Sequence, residues 1–187
     1  GKWLGTLRIL ALGALVVALA QPQIVHGTSE VDASGIDIIL AVDVSGSMEA
    51  LDFTINNEPA NRVEVVKQVV SQFIEERPND RIGLVAFAGR PYMVSPLTLD
   101  HHWLQRRLQT IHPGMVEDGT AIGSALGSSI NRLRDQKAKS RIVILLTDGM
   151  NNAGKILPAT AAEAAETIGI KIYTIGAGSR GEVPVPI

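Results

Sequence analysis

The sequence predicts an α/β fold: a doubly wound, mainly parallel sheet flanked by helices and preceded by an apolar helix. Three observations carry that expectation. Short β-branched runs, Ile36–Val42 and Ile142–Leu146, read as strands buried on both faces, the usual state of central parallel strands. Segments with helical spacing, such as Val63, Val66, Val70, Phe73 and Ile74, alternate with such runs. Polar clusters, Asp43–Met48 and Thr147–Gly149, stand directly after two of the runs, where open α/β sheets bind ligands.

The chain has 187 residues, enough for one domain with a core of useful size. Its net charge of −2 leaves no electrostatic footprint for nucleic acid. With no cysteine, disulfides, zinc–thiolate sites and thiol catalysis are excluded.

Residues 1–24 are expected to form a transmembrane-type helix, apolar from Trp3 to Ala20 apart from Thr6 and Arg8. Its uninterrupted part, Ile9–Ala20, is short for a full span, but Arg8 could snorkel to the interface. A signal peptide is the rival reading, with Lys2 and Arg8 as its charged region. Those two charges lie on the amino side, which the positive-inside rule puts in the cytoplasm, leaving the following domain on the outer, periplasmic side.

Residues 25–35 read as a polar linker and 36–187 as the globular domain. After the first strand, Glu49–Ala60 reads as an acidic, Asn-rich loop. Asn61 is the expected N-cap of a helix to about Arg77, which Pro78-Asn79-Asp80 breaks. Arg81–Phe87 follows as a strand, then a shorter one at Tyr92–Val94, and Asp100 caps a helix through Leu104 and Leu108. The helix after Thr120 carries Gly123, Ala125, Gly127, Ser128 and Ser129, small residues that permit close backbone approach, expected against the sheet. Pro158–Ile168 is an Ala-rich helix and Ile170–Ile175 the last strand; a final helix and edge strand are expected to be absent.

Asp43-x-Ser45-x-Ser47 supplies a carboxylate and two hydroxyls around Gly46, an all-oxygen nest suited to a hard cation such as Mg²⁺, with Mn²⁺ or Ca²⁺ as alternatives. Alone, the motif reads as readily as a turn in which Asp43 and Ser45 cap a helix. Thr120, before a helix, and Asp148, after a second buried strand, can converge on the same crevice. The candidate metal ligands are therefore Asp43, Ser45, Ser47, Thr120 and Asp148.

Other features take bland readings. His101 and His102 are adjacent on a helix and point about 100° apart, so they share a metal poorly. The basic cluster Arg132, Arg134, Lys137, Lys139 and Arg141 fits a solvated helix end. Gly149–Lys155 imitates a phosphate loop, but Ile156 stands where Ser or Thr would bind the nucleotide's Mg²⁺.

The ordered trio Asp-x-Ser-x-Ser, Thr and Asp resembles the metal-ion-dependent adhesion site of von Willebrand factor A domains. Arg81–Gly89, Pro96–Asp100, Glu117–Gly123 and Leu146–Gly154 further resemble the bacterial Bat-type aerotolerance proteins, over about Leu7 to Pro186. That resemblance implies a membrane-anchored, metal-dependent interaction module rather than an enzyme. It implies a role in oxygen or envelope stress tolerance and a protein partner that supplies a carboxylate. The implied partner is a MoxR-type AAA+ ATPase or another membrane protein of this domain type. The stretch Leu51–Ala60 is longer than the family's Asp-Phe-x-x-Asn-Arg connection and would flank the metal. The alternative is a Mg²⁺-dependent phosphatase using Asp43 as nucleophile, which lacks a second Asp at position 45 and a histidine in any motif.

Overall fold

A computed structural model describes residues 2–19 and 35–178. The chain divides into two units, Gly1–Asp32 and Ala33–Ile187. In the first, α1 runs Lys2–Leu19, 18 residues. At 1.5 Å per residue that is about 27 Å, under the roughly 30 Å of a bilayer's hydrocarbon core. Arg8 falls inside it, and among the described residues no helix is long and apolar enough to cross a membrane. The expected transmembrane-type helix is corrected accordingly. The linker expected at 25–35 lies, but for Gly35, outside the described residues, as does the chain beyond 178.

In the second unit, β1 (Asp37–Asp43) is the central strand and is buried throughout. It pairs in parallel with β4 (Arg81–Phe87) and with β6 (Arg141–Thr147). Strand β7 (Lys171–Gly176) adds in parallel to β6, and β5 (Pro91–Thr98) adds antiparallel to β4. The sheet order is β5-β4-β1-β6-β7. Strand β5 runs to Thr98, well past the expected Val94. Long-range pairing with β4 carries it, and register shifts near Leu84 accommodate Pro96 on what is an edge strand.

Side chains alternate across β1, so Ile38, Leu40 and Val42 face one core and Ile39 and Ala41 the other. On the first face pack α2 (Arg62–Glu75), through Val63, Val66, Val70 and Ile74, and α3 (His101–Gln109), through Leu104 and Leu108. On the second pack α4 (Ile122–Leu133) and α5 (Pro158–Thr167), whose Ala161 and Ala165 allow a close fit. The expected caps form: Asn61 Oδ1 accepts from Glu64 N at 2.8 Å and Asp100 Oδ1 from Trp103 N at 2.9 Å.

At the amino end of β1, Asp37, the one charge inside the Ile36–Val42 run, is 1% exposed. Arg81 holds it through two bonds of 2.7 and 2.6 Å. The basic cluster is not uniformly solvated. Arg141 donates to the carbonyls of Leu133, Arg134 and Ile168, so one guanidinium serves the carboxyl ends of α4 and α5.

A 3₁₀ turn, Gly46–Glu49, leads into the stretch expected as a loop, which holds a hairpin of β2 (Phe53–Ile55) and β3 (Glu58–Ala60). Its two-residue turn, Asn56-Asn57, has φ of 53° and 67°, the paired left-handed conformation of tight hairpins, which asparagine tolerates.

Candidate metal centre at the carboxyl end of the sheet

Strands β1 and β6 end side by side, with Val42 opposite Leu146. The register brings Asp43 next to Thr147 although 104 residues separate them. Asp43 is fully buried and its carboxylate is held from two sides. Ser45 N donates to Oδ1 at 2.9 Å, and Thr147 Oγ1 donates to Oδ2 at 2.6 Å. In front of it, Ser45 Oγ and Ser47 Oγ lie 3.1 Å apart, and Ser47 Oγ donates to Asp148 Oδ1 at 2.7 Å. Four of the five candidate ligands thus form one hydrogen-bonded cluster.

Thr120 joins from the third segment. It is 4% exposed, and its Oγ1 lies 3.6 Å from where a Cβ on Gly149 would stand, beside the Asp148 backbone. Its N–H donates to Asn152 Oδ1 at 2.7 Å, and Thr120 O accepts from Asn152 N at 3.0 Å. Asn151 Oδ1 meanwhile accepts from Gly123 N at 3.3 Å in the first turn of α4. The loop after β6 therefore caps α4 from outside and locks Thr120 to the Asp148 segment. Within Gly149–Lys155 the amides of Asn152 and Ala153 both donate to Thr120 O, at 3.0 and 3.3 Å, so they are not free to cradle a phosphate, in keeping with the sequence reading of that stretch as a decoy. Gly119, at φ +117°, turns the chain into Thr120, where a Cβ would stand 3.0 Å from Ala153 Cβ and 3.3 Å from Gly89 Cα.

Three further residues belong to this neighbourhood. Thr147 orients Asp43, as above. Asp118, at the rim, accepts from Gly46 N at 3.1 Å; that bond and one from Gly119 N hold its carboxyl below the ordinary value. Arg62, the first residue of α2, grips Asp52 and also donates to Asp148 Oδ2. None of the three has a local sequence signature as a site residue, because each acts through a partner 72 to 104 residues away. The best available signal was Asp52 and Arg62 bracketing the long connection.

The donor set is two carboxylates and three hydroxyls, all hard oxygen, which suits Mg²⁺, Mn²⁺ or Ca²⁺ rather than a soft metal. Among the described residues no group of three His, Cys, Asp or Glu side chains could hold a metal ion, so a cation here depends on the hydroxyls. Thr120 Oγ1 fits that demand, since it makes no hydrogen bond among the described residues.

Burial pushes the Asp43 carboxyl above its ordinary value of 3.8; bonds from Thr147 and Ser45 oppose the rise, and the charge of Asp148 adds to it. The folded state therefore holds this proton more tightly than the unfolded chain. Its contribution favours folding at low pH and is lost as pH rises from about 3.8 through the raised folded value. In EDTA, unfolding free energies of wild type and Asp43→Asn measured across that window should diverge, wild type losing ground as pH rises. A wild type that gains on the variant over the same range would reverse the sign and refute the assignment.

Residues 38–151 match the von Willebrand factor type A domain family. A protein of Borreliella burgdorferi is 34% identical over 94% of this chain and 50% of its own. An aerotolerance-related membrane protein from Bacteroides fragilis is 30% identical, with a TM-score of 0.73 over 82% of this chain and 73% of its own. BatB from Bacteroides thetaiotaomicron is 32% identical, also at a TM-score of 0.73, over 82% and 72%. The chain spans about half the length of the curated relatives it matches.

Proposed function

The chain belongs to the von Willebrand factor type A domain family, and from that premise we propose that it is a divalent-cation-dependent protein-interaction module with Mg²⁺ as its ion. The observation that carries the reading is the convergence of Asp43, Ser45, Ser47 and Asp148 in one cluster beside the Thr120 hydroxyl, which makes no hydrogen bond among the described residues. Ser45, Ser47 and Thr120 would offer neutral oxygens to the ion, and Asp43 and Asp148 the balancing charge. A bound ion would supply a positively charged coordination position for a partner's carboxylate. The chain's own residues orient that position. Thr147 and Ser45 N fix Asp43, and Asn152 fixes Thr120.

The setting we propose is the bacterial cytoplasmic membrane. Relatives described as membrane proteins support attachment. The exposed Leu4, Leu7, Ile9 and Leu10 of α1 supply apolar surface for that attachment. The partner we propose is a MoxR-type ATPase or another membrane protein of this domain type, in tolerance of oxygen or envelope stress; the kinship with an aerotolerance-related protein supports that role.

The test uses detergent-solubilised membranes in Mg²⁺ and in EDTA. Wild type should retain the ATPase only in Mg²⁺, and Thr120→Ala, which trims one hydroxyl outside the strands, should stay folded by circular dichroism and lose the ATPase. Equal retention by both proteins in EDTA would sink the metal-bridged mechanism.

A further inference from the structure

Arg62 stands at the amino end of α2, where the helix dipole disfavours a cation. Its surroundings explain the placement. Nε donates to both oxygens of Asp52 at 3.0 and 3.1 Å, and Nη2 to Asp52 Oδ2 at 2.8 Å. Nη1 reaches Asp148 Oδ2 and, at 3.5 Å, the Ser47 carbonyl. The guanidinium is only 12% exposed, Asp52 3% and Asp148 1%. Asp148 is thereby engaged at both oxygens, by Ser47 on one and Arg62 on the other.

We propose that Arg62 is a built-in counter-cation of this site: it holds Asp148 when no metal is bound and yields that oxygen to an incoming divalent ion while Asp52 retains it. The inference rests on the metal-binding reading above and adds to it a residue that sets the ion concentration at which the site fills. Two neighbouring carboxylates, Asp43 and Asp148, repel one another in an empty site. A guanidinium on one of them relieves the repulsion without leaving the fold dependent on metal. The same charge opposes an arriving cation, so removing it and strengthening its hold on Asp148 should move affinity in opposite directions.

The test is titration of EDTA-stripped protein with Mn²⁺, with melting curves in EDTA alongside. Arg62→Met should melt lower than wild type in EDTA yet bind Mn²⁺ about tenfold more tightly, as expected when a unit charge a few ångströms from the ion is removed. Asp52→Asn should do the reverse to affinity, because the guanidinium then commits to Asp148. If Arg62→Met is folded and binds Mn²⁺ no more tightly than wild type, Arg62 is a structural strut and the proposal fails. Should that variant not fold, Asp52→Asn decides: affinity equal to or above wild type overturns the proposal. If wild type itself takes up no Mn²⁺, the metal reading falls and takes this inference with it.

Discussion

Alanine at Gly123 is expected to destabilise the domain by about 3 kcal/mol or more, at the upper end for overpacking. A Cβ there would lie 1.9 Å from Ile156 O and 2.6 Å from its carbonyl carbon, and 2.8 Å from that of Leu157. Those are backbone atoms and have little room to retreat. The side chains of Asn151 and Asn152 tie the start of the same loop to the α4 end, and Pro158 opens α5 immediately after it. Gly127, one turn along α4, is the control. A Cβ there meets only Ile156 Cδ1, at 3.2 Å, the mobile tip of a side chain. Helix propensity then favours Gly127→Ala by up to about 1 kcal/mol. Urea unfolding of the two variants should therefore give shifts of opposite sign or very unequal size. Matching losses would mean that α4 does not approach the 156–157 backbone this closely.

The sequence made the small residues of α4 legible but not their partner. Gly123 opposes the loop that enters α5, whereas Ala125, fully buried in the second core cluster, packs against the sheet as expected. The difference has a physical basis. Periodicity reports which face of a helix is buried, but not what lies across from a gap one methyl wide. The same limit runs through the rest of the fold. Strands β1 and β6 are readable because central parallel strands leave near-continuous apolar runs, and β4 because Arg81–Phe87 alternates. Pro96 argues locally against a strand, so the sequence alone ends β5 at Val94, while pairing with β4 is decided far away in the chain. The hairpin leaves no signal in the sequence, because Asn56-Asn57 sits among polar residues with almost no alternation to mark strands.

At the candidate site, the five oxygen donors were legible because three short motifs occur in order. The structure brings Asp43, Ser45, Ser47 and Asp148 into mutual hydrogen-bond reach, directly or through a neighbour, and sets Thr120 beside them. Arg62, Thr147 and Asn152 were not legible as site residues. Each matters only through a side-chain pairing created by folding, and such pairings carry no period.

The most direct measurement of the central claim is calorimetric titration of Mg²⁺ into metal-stripped protein, with wild type set against Asp43→Asn. The account predicts one ion per chain for wild type. Saturation at a hundred times the dissociation constant should stabilise the fold by about 2.7 kcal/mol, seen as a raised melting temperature. Asp43→Asn keeps the shape of the buried side chain and the bond from Ser45 N, but removes the charge that balances the ion. Its affinity should fall by about a hundredfold, a loss on the scale of disrupted metal-site support, with circular dichroism unchanged. Wild-type melting curves that coincide in EDTA, Mg²⁺ and Mn²⁺, with no heat of binding, would contradict the account.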